Sequence, residues 1–122
     1  MFWCFHCYAV DARPSGPCRV CGQPIEQPAG LSRVDGLIWA LGHPDGDRAI
    51  VAARVLGKLK ARESVPALCR TAETGPDIYL RGEALRSVLA IEGADSLRPW
   101  LKTLSRCAPF TVRAIAREAL GG

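Results

Sequence analysis

The stretch from His43 to Gly57, HPDGDRAIVAARVLG, decides the fold, because the chain repeats it. It returns as GPDIYLRGEALRSVL from Gly75, 32 residues on, and as APFTVRAIAREALGG from Ala108, 33 residues further. Pro44, Pro76 and Pro109 fall at matching places. Between these copies, ESVPALCRTAE from Glu63 matches DSLRPWLKTLS from Asp95, and RVDGLIWAL from Arg33 stands where an earlier partner belongs. All these segments are rich in Ala, Leu and Arg and are broken at Gly and Pro, which reads as helices. A period of 32 to 33 residues holding two helices predicts a solenoid, in which no pair buries its apolar face until a neighbour stacks on it. The expected pairs are 32–42 with 46–57, 63–74 with 77–91, and 95–106 with 109–120. Apolar spacing places Leu37, Ile38, Leu41, Val65, Leu68, Leu97, Trp100, Leu101 and Leu104 in the core from the first helices. Ala52, Val55, Leu56, Ala84, Val88, Val112, Ala116, Ala119 and Leu120 join them from the second helices.

The wording VRAIAREALG from Val112 and SVPAL from Ser64 resembles HEAT-like repeats of the phycobilisome-lyase type, over roughly residues 33–122. That resemblance implies a mostly α chain with three HEAT-like helical hairpins in a short α-solenoid, assigned here to residues 31–122. Such repeats serve scaffolds, chromophore-lyase subunits and nucleic-acid proteins alike, so the resemblance speaks to fold and not to function. HEAT-type repeats also commonly place an Asp between their helices and an Arg in the second helix. Asp45 and Asp77 occupy the first position and Arg81 and Arg113 the second, with Ala49 and Phe110 where the end repeats lack a member. The resemblance implies a diagonal ladder between layers, Asp45 to Arg81 and Asp77 to Arg113.

Ahead of the repeats lies MFWCFHCYAVDARPSGPCRVCGQPIE, residues 1–26, with two Cys-x-x-Cys pairs separated by ten residues. Each such turn aims both sulfurs at one point, and two turns together make the tetrahedral thiolate cage that zinc prefers. Asp11, Pro14, Ser15, Gly16 and Pro17 supply the fold-back between them. A segment this short seldom folds without a staple, and one structural Zn2+ on Cys4, Cys7, Cys18 and Cys21 is the expected one. Phe2, Trp3, Phe5, Tyr8 and Ile25 are expected to cover one side of the site and pack it on the rest of the chain. Cys18-Arg19-Val20-Cys21-Gly22 resembles the second half of a zinc-ribbon or rubredoxin-type knuckle, which implies a small Cys4 ribbon with a short β-hairpin over residues 1–28. The ten-residue connection is shorter than the common spacing of that family, so the implied ribbon is a minimal one. Iron in the same cage, and redox or disulfide chemistry, stay open alternatives. Neither pair opens a helix after a strand, as a thioredoxin-like site needs. His6 is read as exposed or packed, outside the ligand set.

Composition bounds the rest. With 48% hydrophobic and 23% charged residues over 122 positions, the chain is globular and not disordered. Its apolar runs are too short to span a bilayer and it lacks a signal-peptide pattern, so a cytoplasmic protein without a membrane partner is expected. A net charge of +4 is spread over arginines interleaved with acids, so nucleic acid is a possible but not a favoured partner. No Gly-rich phosphate loop, Ser/His/Asp set or carboxylate pair appears, and no enzyme is expected. Cys69 and Cys107 read as buried small hydrophobes. His43, Asp45 and Asp47 read as polar groups capping the next helix, and Trp39 and Trp100 as core fillers. The expectation is a protein-interaction adaptor. Arg54, Arg86 and Arg117 on the second helices would meet an acidic segment of a protein partner, and an uncapped last repeat would allow a homodimer. The alternatives are a nucleic-acid-associated factor, or a lyase or chaperone subunit for a chromophore-bearing protein.

Overall fold

The computed structural model describes residues 2–25 and 32–121. The Pro28-Ala29-Gly30 linker, and with it the boundary between the two expected domains, lies outside the described residues. At the N-terminus, β1 (Phe2–Trp3) pairs antiparallel with β2 (Val10–Asp11), Phe2 opposite Asp11 and Trp3 opposite Val10. Six helices follow: α1 (Arg33–Ala40), α2 (Gly46–Leu59), α3 (Val65–Thr74), α4 (Ile78–Glu92), α5 (Arg98–Cys107) and α6 (Phe110–Ala119). A 3-10 turn, Arg62–Ser64, leads into α3. Among the described residues no helix is long and apolar enough to cross a membrane.

Local chemistry sets the helix limits. Ser32 accepts from the Asp35 N–H while the Asp35 carboxylate accepts from the Ser32 N–H, a reciprocal cap that opens α1. Asp45 and Asp77 cap α2 and α4 by accepting the N–H groups of Asp47 and Tyr79. Proline in the first turn starts α3 and α5, where the missing N–H is no loss. Lys60, in the left-handed region at φ 52°, stops α2.

The helices pack as three hairpins, α1 with α2, α3 with α4 and α5 with α6, and the second helices stack α2 on α4 on α6. Leu56, Leu68, Leu80, Leu85, Leu101, Val88 and Val112 are fully enclosed between the layers. Of the expected core, Leu41, Ala52, Ala84, Leu104 and Ala116 are buried as well. Leu37, Ile38, Val65, Leu97, Trp100, Ala119 and Leu120 pack half-buried against it. Close approach of α2 to α4 needs a glycine: a Cβ on Gly57 would stand 2.6 Å from the Ser87 hydroxyl and 3.0 Å from its Cα. That contact lets Ser87 donate to the Ala53 carbonyl across the layers, at 2.6 Å and fully buried.

The expected Asp–Arg ladder is not formed. Asp45 meets Arg48 of its own helix at 3.5 Å, and Asp77 spends one oxygen on its own N-cap. Arg81 instead turns back to the carbonyls of Ala72 and Glu73, at 2.9 and 2.6 Å, which end α3 without intrahelical donors. Arg113 lies over the Phe110 ring. Nearer acceptors within each repeat outcompete the carboxylate of the next layer. The tie between α2 and α4 is an unforeseen pair, Arg54 with Glu83 at 3.5 Å. A second correction concerns the lone thiols. Cys69 is half-buried, but Cys107 is exposed in the last turn of α5, where its thiol donates to the Thr103 carbonyl.

Candidate metal centre

The β1–β2 hairpin carries the first Cys-x-x-Cys turn between its strands, and the second turn hangs from an isolated bridge between Pro17 and Pro24. The sulfurs of Cys4, Cys7, Cys18 and Cys21 all lie within 4.8 Å of one another, a set that could hold a metal ion. Cys4 to Cys21 and Cys7 to Cys18 are both 3.6 Å apart and join opposite turns. Four thiolates at about 2.3 Å from a tetrahedral ion stand about 3.8 Å apart, so the cage has the right size for one. The amides of His6 and Val20 each point at the sulfur two residues earlier, 3.4 and 3.3 Å away. These N–H···S bonds stabilise thiolate. His6 itself is exposed.

Electrostatics show why such a cage wants a cation. The Cys18 thiol is drawn down to about 6, first by the backbone amide of Cys21 and then by that of Val20. At Cys7 the pull of the Ala9 amide is outweighed by burial and by the neighbouring thiols, which push it up to about 12. Cys18 gives up its proton readily, whereas burial and the neighbouring thiols hold the protons on Cys7 and Cys21. A dication at the centre offsets that resistance.

Cys4, Cys18 and Ile25 form the small core of the module, with Cys7 and Ala9 against it. Outside it, Asp11 accepts from the backbone and guanidinium of Arg13 in a bidentate pair at 2.9 and 3.1 Å, and the same guanidinium donates to the Pro17 carbonyl at 2.6 Å. Arg13 holds the Asp11 carboxyl well below the usual carboxylate range. One side chain thereby ties the hairpin to the entry of the second turn.

Trp3, Phe5 and Tyr8 pack the module against the start of the helical part, on residues that the periodicity placed elsewhere, and the side chain of Phe2 lies outside the described residues. The Trp39 indole N–H donates to the Phe5 carbonyl, and the Tyr8 hydroxyl donates to the Trp39 carbonyl near the end of α1. Phe5 and Tyr8 stack on Trp39 at 5.0 and 4.8 Å, within 6° and 20° of parallel. His43, buried behind them, meets Trp3 edge-on at 4.2 Å. Its Nδ1 accepts the Asp45 N–H at 3.0 Å, so its proton belongs on Nε2, which is buried without an oxygen or nitrogen partner. Burial, then the charge of Arg48, holds this ring below the usual histidine range and therefore neutral. Gly42 makes room for the seam, because a Cβ there would stand 2.7 Å from the Tyr8 hydroxyl. Trp39 thus joins two modules and His43 lines their junction, roles that neither apolar spacing nor a capping pattern signals.

Three adjoining hollows of about 290, 340 and 460 Å³ run along α2, α4 and α6 and share Arg86. Arg54, Lys58 and Lys60 line them with Glu83 and Glu118, over an apolar floor that includes Ile50, Leu89 and Ile115. Arg54 and Arg86 therefore share one surface. Arg117 is exposed on α6 but does not line the hollows; Glu118 stands there in its place. A family model described as HEAT repeats matches residues 34–121. No curated protein and no solved structure matches the chain.

Proposed function

The chain belongs to the HEAT-repeat family, and from that premise we propose that it is a non-catalytic protein-interaction scaffold whose N-terminal module is held by one structural zinc ion. The observation that carries the proposal is the row of hollows meeting at Arg86, on the open face of the stacked second helices. Stacked helical pairs use such faces to bind extended segments. Four cations, Arg54, Lys58, Lys60 and Arg86, face two carboxylates, and one of those, Glu83, is already paired with Arg54. The surplus suits an acidic segment with apolar side chains for the floor. Zinc is favoured because four thiolates close its coordination sphere and leave no position for substrate, the signature of a structural site. The same closure supports a role without catalysis, in a cytoplasmic setting where thiols stay reduced.

The test is fluorescence anisotropy with labelled acidic peptides that carry apolar residues, alongside elemental analysis of the purified chain. One equivalent of zinc is expected, with peptide binding that weakens by at least tenfold in Arg86→Glu and persists in Arg117→Ala. A nucleic-acid role draws on the +4 charge, but the apolar floor of Ile50, Leu89 and Ile115 matches the side chains of a peptide and offers nothing to a phosphate backbone. Oligonucleotide binding retained at physiological salt and lost in Arg86→Glu would replace the protein partner with a nucleic acid. Absence of zinc and of any Arg86-dependent ligand would overturn the proposal.

A further inference from the structure

We propose that the first helical pair is part of the metal site: Trp39 and Gly42 position the Cys4–Cys7 turn from outside, so that metal binding and docking of the module on α1 strengthen each other. The inference rests on the metal-binding reading given above and concerns how that site is held.

The two Cys-x-x-Cys turns are supported differently. In the first, the backbone between the two thiols is gripped directly, because the Phe5 carbonyl accepts the Trp39 indole N–H. Tyr8 follows Cys7 and adopts a left-handed backbone at φ 66°, which L residues with side chains seldom take. Its N–H returns to the Cys4 carbonyl at 2.9 Å, while its ring stacks on Trp39 and its hydroxyl reaches the Trp39 carbonyl. That kink is thus fixed at both ends, by the turn on one side and by the helix on the other. Gly42 keeps the space into which the hydroxyl fits. In the second turn Val20 is 76% exposed and Cys21 is exposed, and the supports come from within the module: Arg13 on the Pro17 carbonyl and the Pro17–Pro24 bridge. Two ligands are therefore aimed by the helices and two by their own loop.

A ligand set aimed in advance binds its ion more tightly than one that must be ordered on binding, and groups that orient ligands typically change metal affinity by about 10- to 100-fold. Linkage makes the effect reciprocal. Whatever factor docking adds to metal affinity, the metal adds to docking. Among the described residues, α1 is the helix without a buried side chain. It leans on α2 from one side and on the metal module from the other.

The experiment uses the full chain and zinc, with a chromophoric chelator in competition. Gly42→Ala, which crowds the hydroxyl end of the Tyr8 ring, is expected to weaken zinc binding about tenfold, and Tyr8→Phe several-fold, while Val10→Ala, on the exposed side of β2, matches the parent. Reciprocally, stripping the zinc is expected to remove hydrogen-exchange protection from amides 33–42 and to leave α3 to α6 protected. Should Gly42→Ala perturb the fold, Tyr8→Phe keeps the ring and removes only the donor. Parent-like zinc affinity in both variants, or unchanged protection of 33–42 after stripping, overturns the coupling and leaves the metal site standing. Failure of the parent chain to take up zinc overturns both.

Discussion

Among the described residues, 2–25 bury Cys4, Cys18 and Ile25 together, whereas 32–121 bury nineteen side chains in one continuous cluster. The first region has almost no hydrocarbon to drive it together and relies on convergent sulfurs, a bidentate Arg13–Asp11 pair and a seam of rings. In the second, leucine and valine fill the layers, and alanine and glycine set how closely they approach. The contrast shows two answers to one constraint. A segment too short for a core converges four sulfurs that could hold an ion and leans on its neighbour, while a repeat obtains cohesion by stacking copies of itself.

The sharpest way to break this comparison is to remove the ion. Small zinc modules draw about 10 to 16 kcal/mol from their metal, so Cys4→Ser or chelation is expected to unfold residues 2–25. The far-UV helical signal should be kept almost whole. Collapse of that signal together with the module would show that the two regions are one cooperative unit. Next in size is Leu85→Ala in the sealed centre of α4, expected to lower the stability of the helices by about 3 kcal/mol in urea titration. Zinc content should be unchanged. Gly57→Ala should follow at about 1 to 3 kcal/mol, because the new methyl meets Ser87, with a small offset from better helix propensity. A parent-like midpoint would mean that α2 and α4 have slack between them.

Acid should separate the regions more gently. His43 is held below its usual range by burial, so the unfolded chain takes up a proton below about pH 6.5 that the folded ring refuses. Stability of the seam is therefore full above that pH and declines as pH falls through it. Asp11 acts lower down: its depressed carboxyl contributes above about pH 4 and loses that contribution as pH drops toward its folded value. Ligand protonation adds in the same direction, since metal binding requires thiolates. Tryptophan fluorescence is expected to change between pH 7 and 4 before circular dichroism at 222 nm does, and coincident transitions would contradict this order.

The helices were legible because their signals are local. Breaks at Gly and Pro separate the segments, Pro44, Pro76 and Pro109 recur at matching places, Asp45 stands where a cap belongs, and a 32- to 33-residue period exposes the copies. The four thiols were legible because their spacing is itself the geometry of a turn. What joins the modules was not. Trp39 sits at a spacing suited to a core, Gly42 in a loop where glycine is ordinary, and His43 beside a capping aspartate. Only the fold brings Phe5 and Tyr8 to them from more than thirty residues away. The ladder failed for a related reason: charge spacing identifies possible partners but not the carbonyls at the end of α3, which lie closer to Arg81 than any carboxylate.

One asymmetry of the cage bears on traffic through it. Cys4 is wholly enclosed, whereas Cys21 is exposed beside the open side chain of Val20. A competing donor approaching an ion held in this cage would therefore meet Cys21 first, at the corner facing water, while Cys4 lies on the side that faces the helices.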